Sequence, residues 1–125
     1  MSENKEYVTQ DLESGSICIS EEVIGSIASM AALEVEGVYG LGSTGSELSK
    51  LTKKASGKEV RVLISQENEI SIDCYVIVLY GFSVVDVAKA VQEAVFSAVE
   101  STTGQKVRDV NVSVGGISLP KGTKK

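Results

Sequence analysis

A chain of 125 residues with 42% hydrophobic and 23% charged side chains has the size and composition of one folded domain, which excludes disorder and leaves room for a single core. Its formal charge of −5 argues against nucleic acid as the main partner, because polyanion affinity comes from Lys and Arg neutralising phosphates. The charge is uneven: Ser46 to Arg61 carries a local balance of +3, which leaves −8 on the rest of the chain.

Met1 to Gly15 is polar and aperiodic, and is expected to be a flexible tail. It has no basic-then-apolar signal pattern, and no apolar run anywhere approaches the ~20 residues of a membrane-spanning helix. Order is expected to begin at Ser16-Ile17-Cys18-Ile19, a short strand. Ser20 is a good N-cap, and Glu21 and Glu22 favour the positive end of a helix dipole. Val23, Ile24, Ile27, Ala28, Ala31 and Val35 recur at spacings of three and four, giving a helix with one buried stripe that ends near Gly37. Its other face carries Gly25, Ser26, Ser29 and Leu33 where charges would be usual, which suits contact with another helix or another chain.

Gly37 to Gly57 reads as one long irregular segment, with room for a short helix over Glu47–Lys54 that turns Leu48 and Leu51 inward. Val60, Val62 and Ile64 then alternate with Arg61, Leu63 and Ser65. A polar turn at Gln66–Glu69 leads into Ile70, Ile72, Cys74, Val76 and Val78, so two antiparallel strands form a hairpin. On the alternate face of the second strand, Ser71 and Asp73 give way to Tyr75, Ile77 and Leu79. Apolar residues on both faces fit a central strand, or a face that a partner covers. Ser83 and Asp86 make an N-terminal capping signature for a helix to about Thr103, with Val84, Val87, Ala88, Val91, Ala94, Val95, Ala98 and Val99 as core stripe and Phe96 at its boundary. Gly104 stops it. Val107, Val110, Val112 and Val114 suggest a last strand before Gly115-Gly116 and a lysine-ended tail.

The chemistry-bearing signals are weak. Gly40-Leu41-Gly42-Ser43-Thr44-Gly45 matches the G-x-G-x-x-G string of pyrophosphate sites, but it follows a helix where that motif requires a strand, so it reads as a glycine loop. The chain has no histidine, and its two cysteines, Cys18 and Cys74, lack metal-ligand spacing. Both sit in apolar runs and are expected to be buried, reduced thiols. Glu21-Glu22, Glu34/Glu36 and Glu67/Glu69 lie at helix ends or turns, where solvated carboxylates are normal. No catalytic residue, cofactor or metal site is expected. Lys50, Lys53, Lys54, Lys58 and Arg61 form a basic stretch that faces solvent or an anion, and nucleic-acid binding through it is the alternative function. Tyr39 is the only ring nearby to stack on a base.

Two blocks carry a family resemblance. Ile17-Cys18-Ile19-Ser20-Glu21-Glu22-Val23-Ile24-x-x-Ile27-Ala28, continuing through Ala31-Ala32-x-Glu34-Val35-x-Gly37-Val38-x-Gly40-Leu41, resembles the N-terminal block of the alkaline shock protein family of Gram-positive bacteria. Tyr80-Gly81-x-Ser83-x-x-Asp86-Val87-Ala88, Val91-Gln92-x-Ala94-Val95, Val99-Glu100-x-Thr102-x-Gly104 and Val110-Asn111-Val112-x-Val114-x-Gly116-Ile117 complete it. These positions are stripes, caps and glycines, which specify a fold more than a chemistry. The resemblance implies a non-catalytic cytoplasmic protein of envelope stress response or cell-envelope homeostasis. Some such proteins self-associate and are held near the membrane by a separate membrane-anchored protein.

The expectation is an α+β domain over residues 16–118, ordered β-α-β-β-α-β, with a four-stranded mixed or antiparallel sheet and both helices on one face. Residues 119–125 would be a second flexible tail. Partners would be other proteins, including further copies of the chain. The working surface would be the sheet face of Leu63, Tyr75, Ile77 and Leu79, with Leu33 and Phe96 as further contact candidates.

Overall fold

A computed structural model describes residues 6–42 and 59–118. Order begins earlier than the sequence suggests. Tyr7–Leu12 (β1) and Gly15–Ser20 (β2) pair antiparallel from Tyr7 opposite Ser20 to Leu12 opposite Gly15. β1 has a single buried side chain, Val8, so it gives almost no periodic signal. Gly15 closes the turn with φ 140°, a conformation that L side chains rarely adopt.

Helix α1 covers Glu21–Leu33, and Ser20 Oγ accepts the Val23 N–H at 3.2 Å. Its buried line is Ile24, Ala28 and Ala32, with Ile27, Ala31 and Val35 half-buried beside it. Val23, expected in the stripe, is exposed. Gly37 follows at φ 100°, where an added Cβ would lie 2.7 Å from Val87 Cγ2 and 2.9 Å from Phe82 Cδ2. Only glycine lets the chain turn there and still pack against the second helix.

Val38–Leu41 (β3) follows at once, so the first residues of the stretch expected to be irregular form a strand instead. The expected helix over Glu47–Lys54 and the tail 119–125 lie outside the described residues. Val60–Ile64 (β4) and Ile70–Leu79 (β5) form the expected hairpin. In its turn, Ser65 Oγ accepts the N–H groups of Glu67 and Glu69, both at 3.1 Å, and Asn68 adopts φ 65°. The Asn68 side chain then reaches β1, where Oδ1 accepts the Thr9 N–H at 3.2 Å and Nδ2 donates to the Thr9 carbonyl at 3.3 Å.

Helix α2, Val84–Thr103, begins where Ser83 Oγ accepts the Asp86 N–H at 3.3 Å and ends at Gly104 with φ 74°. Val87, Val91, Val95 and Val99 are its buried line, and Thr103 joins them by donating to the Val99 carbonyl at 2.7 Å. Val84 is exposed, one turn before that line begins. The last strand, β6 (Val107–Ser118), runs through both glycines rather than stopping before them.

The four-stranded mixed sheet is centred on β5. β3 and β4 lie end to end along one edge of it, both antiparallel, and β6 pairs parallel with the other. The fourth strand of this sheet is β3; the Ser16–Ile19 run belongs to the separate β1–β2 hairpin. α1 packs on α2 and over β3 and β4, and α2 packs over β6. The β5 residues that face the helices, Ile70, Ile72, Cys74, Val76 and Val78, are completely buried. At roughly 1.5–3 kcal/mol for each fully buried Ile or Val, this row is the main apolar support of the sheet.

A candidate interaction face on the sheet

The outer face of the sheet follows from the same alternation. With Val60, Val62 and Ile64 turned inward opposite Cys74, Ile72 and Ile70, Arg61 and Leu63 must point outward. From β5 come Ser71, Asp73, Tyr75, Ile77 and Leu79, and the register sets Asn111 and Ser113 of β6 beside Asp73 and Tyr75. Asn111 Nδ2 donates to Asp73 Oδ1 at 2.9 Å, so a polar rung crosses the face.

That rung divides the expected surface. Leu63 is 38% exposed and lies opposite Ser71. Tyr75 is 44% exposed and stands four residues further along β5, roughly 13 Å away at the rise of a strand. Ile77, expected to face water, is only 7% exposed, and Leu79 is half-buried. Ile77 lies between Gly40 of β3 and Gly116 of β6. Leu33 and Phe96 are exposed too, but they stand on α1 and α2, on the other side of the sheet, and do not join this face.

Two tyrosines that the sequence does not single out lie exposed near the Tyr75 end of the sheet. Tyr39 sits at the β3 irregularity between the pairings of Val38 with Val78 and Gly40 with Ile77, and Tyr80 directly follows β5. Both are more exposed than Tyr75. A strand before Gly40 would be the signal for Tyr39, but four residues interrupted by a glycine are too few to show a period of two.

The small-residue face of α1 borders a groove. Gly25, Ser26, Ser29 and Met30 form one wall, and Leu41 with Glu59 to Leu63 the other. At Gly25 this face meets a strand of the same chain rather than a helix, the Cβ position lying 3.7 Å from Val62 Cγ2 of β4. Burial pushes the Glu59 carboxyl above its ordinary pKa. Of the basic stretch, Lys50, Lys53, Lys54 and Lys58 lie outside the described residues; Arg61 is exposed on β4, in register with Asp73.

The cysteines separate. Cys74 is buried, and burial together with the Asp73 carboxylate pushes its thiol up to about 11. Cys18, also expected to be buried, is exposed on β2. A two-stranded hairpin cannot cover both of its own faces. Among the described residues no cluster of His, Cys, Asp and Glu could hold a metal, and no helix is long and apolar enough to cross a membrane.

The chain is 38% identical over 108 residues to YloU of Bacillus subtilis (strain 168), covering 84% of this chain and 90% of that protein. It is 34% identical over 113 residues to YqhY of the same organism, covering 88% and 82%. Among solved structures it is similar to MamM-CTD 215-293, with a TM-score of 0.48, 21% identity, and coverage of 76% of this chain and 96% of that one. The model of the alkaline shock protein 23 family, described as having a cell envelope-related function, matches residues 9–119. With that match across the whole fold and relatives of this identity over most of its length, the chain belongs to the alkaline shock protein 23 family.

Proposed function

We propose that this chain is a non-catalytic protein-interaction or scaffold module of the cytoplasm, acting in envelope stress response or cell-envelope homeostasis. Its partners are other proteins, among them a membrane-anchored one that brings it to the envelope. The observation that carries this reading is the outer face of the sheet, where Tyr75 exposes aromatic surface on the side away from both helices, with Tyr39 exposed on the neighbouring strand. Tyrosines of this kind are favoured at protein contacts, where a large rigid ring buries much area at little entropic cost. The chain's cell envelope-related family supports the biological setting. No observation favours nucleic acid: Arg61 stands in register with an acidic residue, Asp73, on a chain of net charge −5.

Crosslinking and co-purification from the native cell, comparing the unaltered chain with Tyr75→Ala, test the proposal. The variant should fold normally and lose the captured partner. A folded Tyr75→Ala, Tyr39→Ala double variant that captures the same partner equally well would sink the assignment of this face.

A further inference from the structure

The two edges of the sheet are finished differently. Along the β3/β4 edge α1 comes close enough for Gly25 to approach Val62. Along β6, among the described residues, no strand pairs with the outer edge. The direction of its backbone groups follows from β5. Tyr75 donates its N–H to the Glu59 carbonyl at 2.9 Å, and its carbonyl accepts the Gly42 N–H at 2.8 Å, so both groups point to the β3/β4 side. The groups of Cys74 and Val76, by alternation, point to β6. In a parallel ladder a residue bonds to the two neighbours of its register partner. Cys74 is in register with Val112, so it is Asn111 and Ser113 that bond β5, while Val110, Val112 and Val114 point outward. Gln92 confirms the direction by donating to the Val110 carbonyl at 2.9 Å from α2. The N–H and C=O groups of Val112 and Val114 have no such partner among the described residues.

Natural edge strands are kept from pairing by lysines, prolines, bulges or short length. β6 has twelve residues, with ladder irregularities near Arg108 and Gly115. Between them Asn111 to Val114 is regular, uncharged and free of proline.

We propose that this edge docks on the same edge of a second copy of the chain, the two β6 strands pairing antiparallel about a two-fold axis at Ser113 to make one sheet continuous across the dimer. In that register Val112 of each copy exchanges hydrogen bonds with Val114 of the other, which satisfies the free groups and leaves the Gln92 bond to Val110 intact. Ser113 faces Ser113, and Asn111 faces Gly115. A second copy suits the edge because the contact is self-complementary and opposes no like charges, although each chain carries −5. It also brings Ile117 of one copy toward Phe96 of the other, and both are exposed in the single chain. The hollow between Phe96, Gln92 and Asp109–Asn111 runs beside this edge. Main-chain bonds of this strand-addition kind supply affinity without requiring a deep pocket.

Val112→Pro tests the proposal, since it removes an N–H that the isolated chain does not use and should leave the fold intact. By sedimentation the unaltered chain should be a dimer at micromolar concentration and the variant a monomer with an unchanged circular dichroism spectrum. Tyr75→Ala should leave the dimer intact, which separates this edge from the sheet face proposed above. Amide exchange of the unaltered chain gives a second reading: Val112 and Val114 should be protected in the dimer and exposed on dilution, while Ser113 stays protected throughout. A chain that is monomeric at all concentrations, or a dimer in which the Val112 and Val114 amides exchange freely, overturns the proposal. So does a folded Val112→Pro variant that still dimerises. If Val112→Pro unfolds, the exchange pattern decides alone.

Discussion

On the helix side of β5, Ile70, Ile72, Cys74, Val76 and Val78 have no exposed surface, while on the other side Ser71 and Asp73 lead to Tyr75, Ile77 and Leu79, of which Ile77 alone is buried. The inner row is one continuous core with α1 and α2. The outer row turns from polar to apolar after Asp73, and from exposed to buried between Tyr75 and Ile77. Alternation assigns each side chain to a face, but what lies over that face decides whether the side chain holds the fold or meets a partner.

Removing inner-row volume should have the largest effect. Ile72→Ala should lower stability by roughly 3–4 kcal/mol, because the lost methylenes leave a cavity that two packed helices cannot close. Urea unfolding measures it, and a loss below about 1 kcal/mol would mean that the two faces are less different than their burial suggests. Ile77→Lys comes next, with an expected loss on the order of 2–3 kcal/mol from burying a charged stem at an outer-face position. A variant that folds at full stability would return Ile77 to the exposed surface.

Cys74 sharpens the contrast through pH. Its thiol is raised to about 11 from 9.0, so the folded state holds its proton more tightly than the unfolded chain. The stabilisation is complete below pH 9 and is lost as the pH rises through 11, an effect on the order of 2–3 kcal/mol. Denaturation against pH should show the unaltered chain losing stability over that window relative to Cys74→Val. Parallel curves would refute the buried thiol, and so would rapid labelling of Cys74 in the folded chain by a reagent that should reach only Cys18. Tyr75→Ala should do least to the isolated chain, within about 1 kcal/mol, because its ring is already half in water.

What can be read from the sequence is local. Ser20 and Ser83 announce their helices because a cap acts within three residues, and the hairpin of β4 and β5 is legible because one face of each is continuously buried. Non-local pairing is harder to see. β1 escapes notice because Val8 is its single buried side chain, and the apolar look of Ile17-Cys18-Ile19 overstates the burial of a strand that, among the described residues, pairs only within the small hairpin. The stripe of α1 reads slightly off its true centre, since Val23 and Ile24 are adjacent and both apolar, and only tertiary packing selects Ile24 for the core. Among the contact candidates, Tyr75 and Leu63 do lie exposed on the outer face, whereas Ile77 is covered. A run that is apolar on both faces does not say which side is covered.

The Asn68 side chain matters beyond its turn. Its amide presents Thr9 with an acceptor and a donor in the arrangement of a neighbouring peptide group, so it adds one rung to β1 across a separation of 59 residues. Besides that rung, burial of Val8 and the Glu21 N–H to Glu6 carbonyl bond are among the contacts that tie the hairpin down. With its strands paired to each other and not to the main sheet among the described residues, the hairpin is expected to open as a cooperative unit at lower free energy than the sheet it leans on. Its amides should therefore exchange together and ahead of those of β5, and Asn68→Ala should hasten the exchange of Thr9 and its neighbours while leaving the centre of the sheet unchanged.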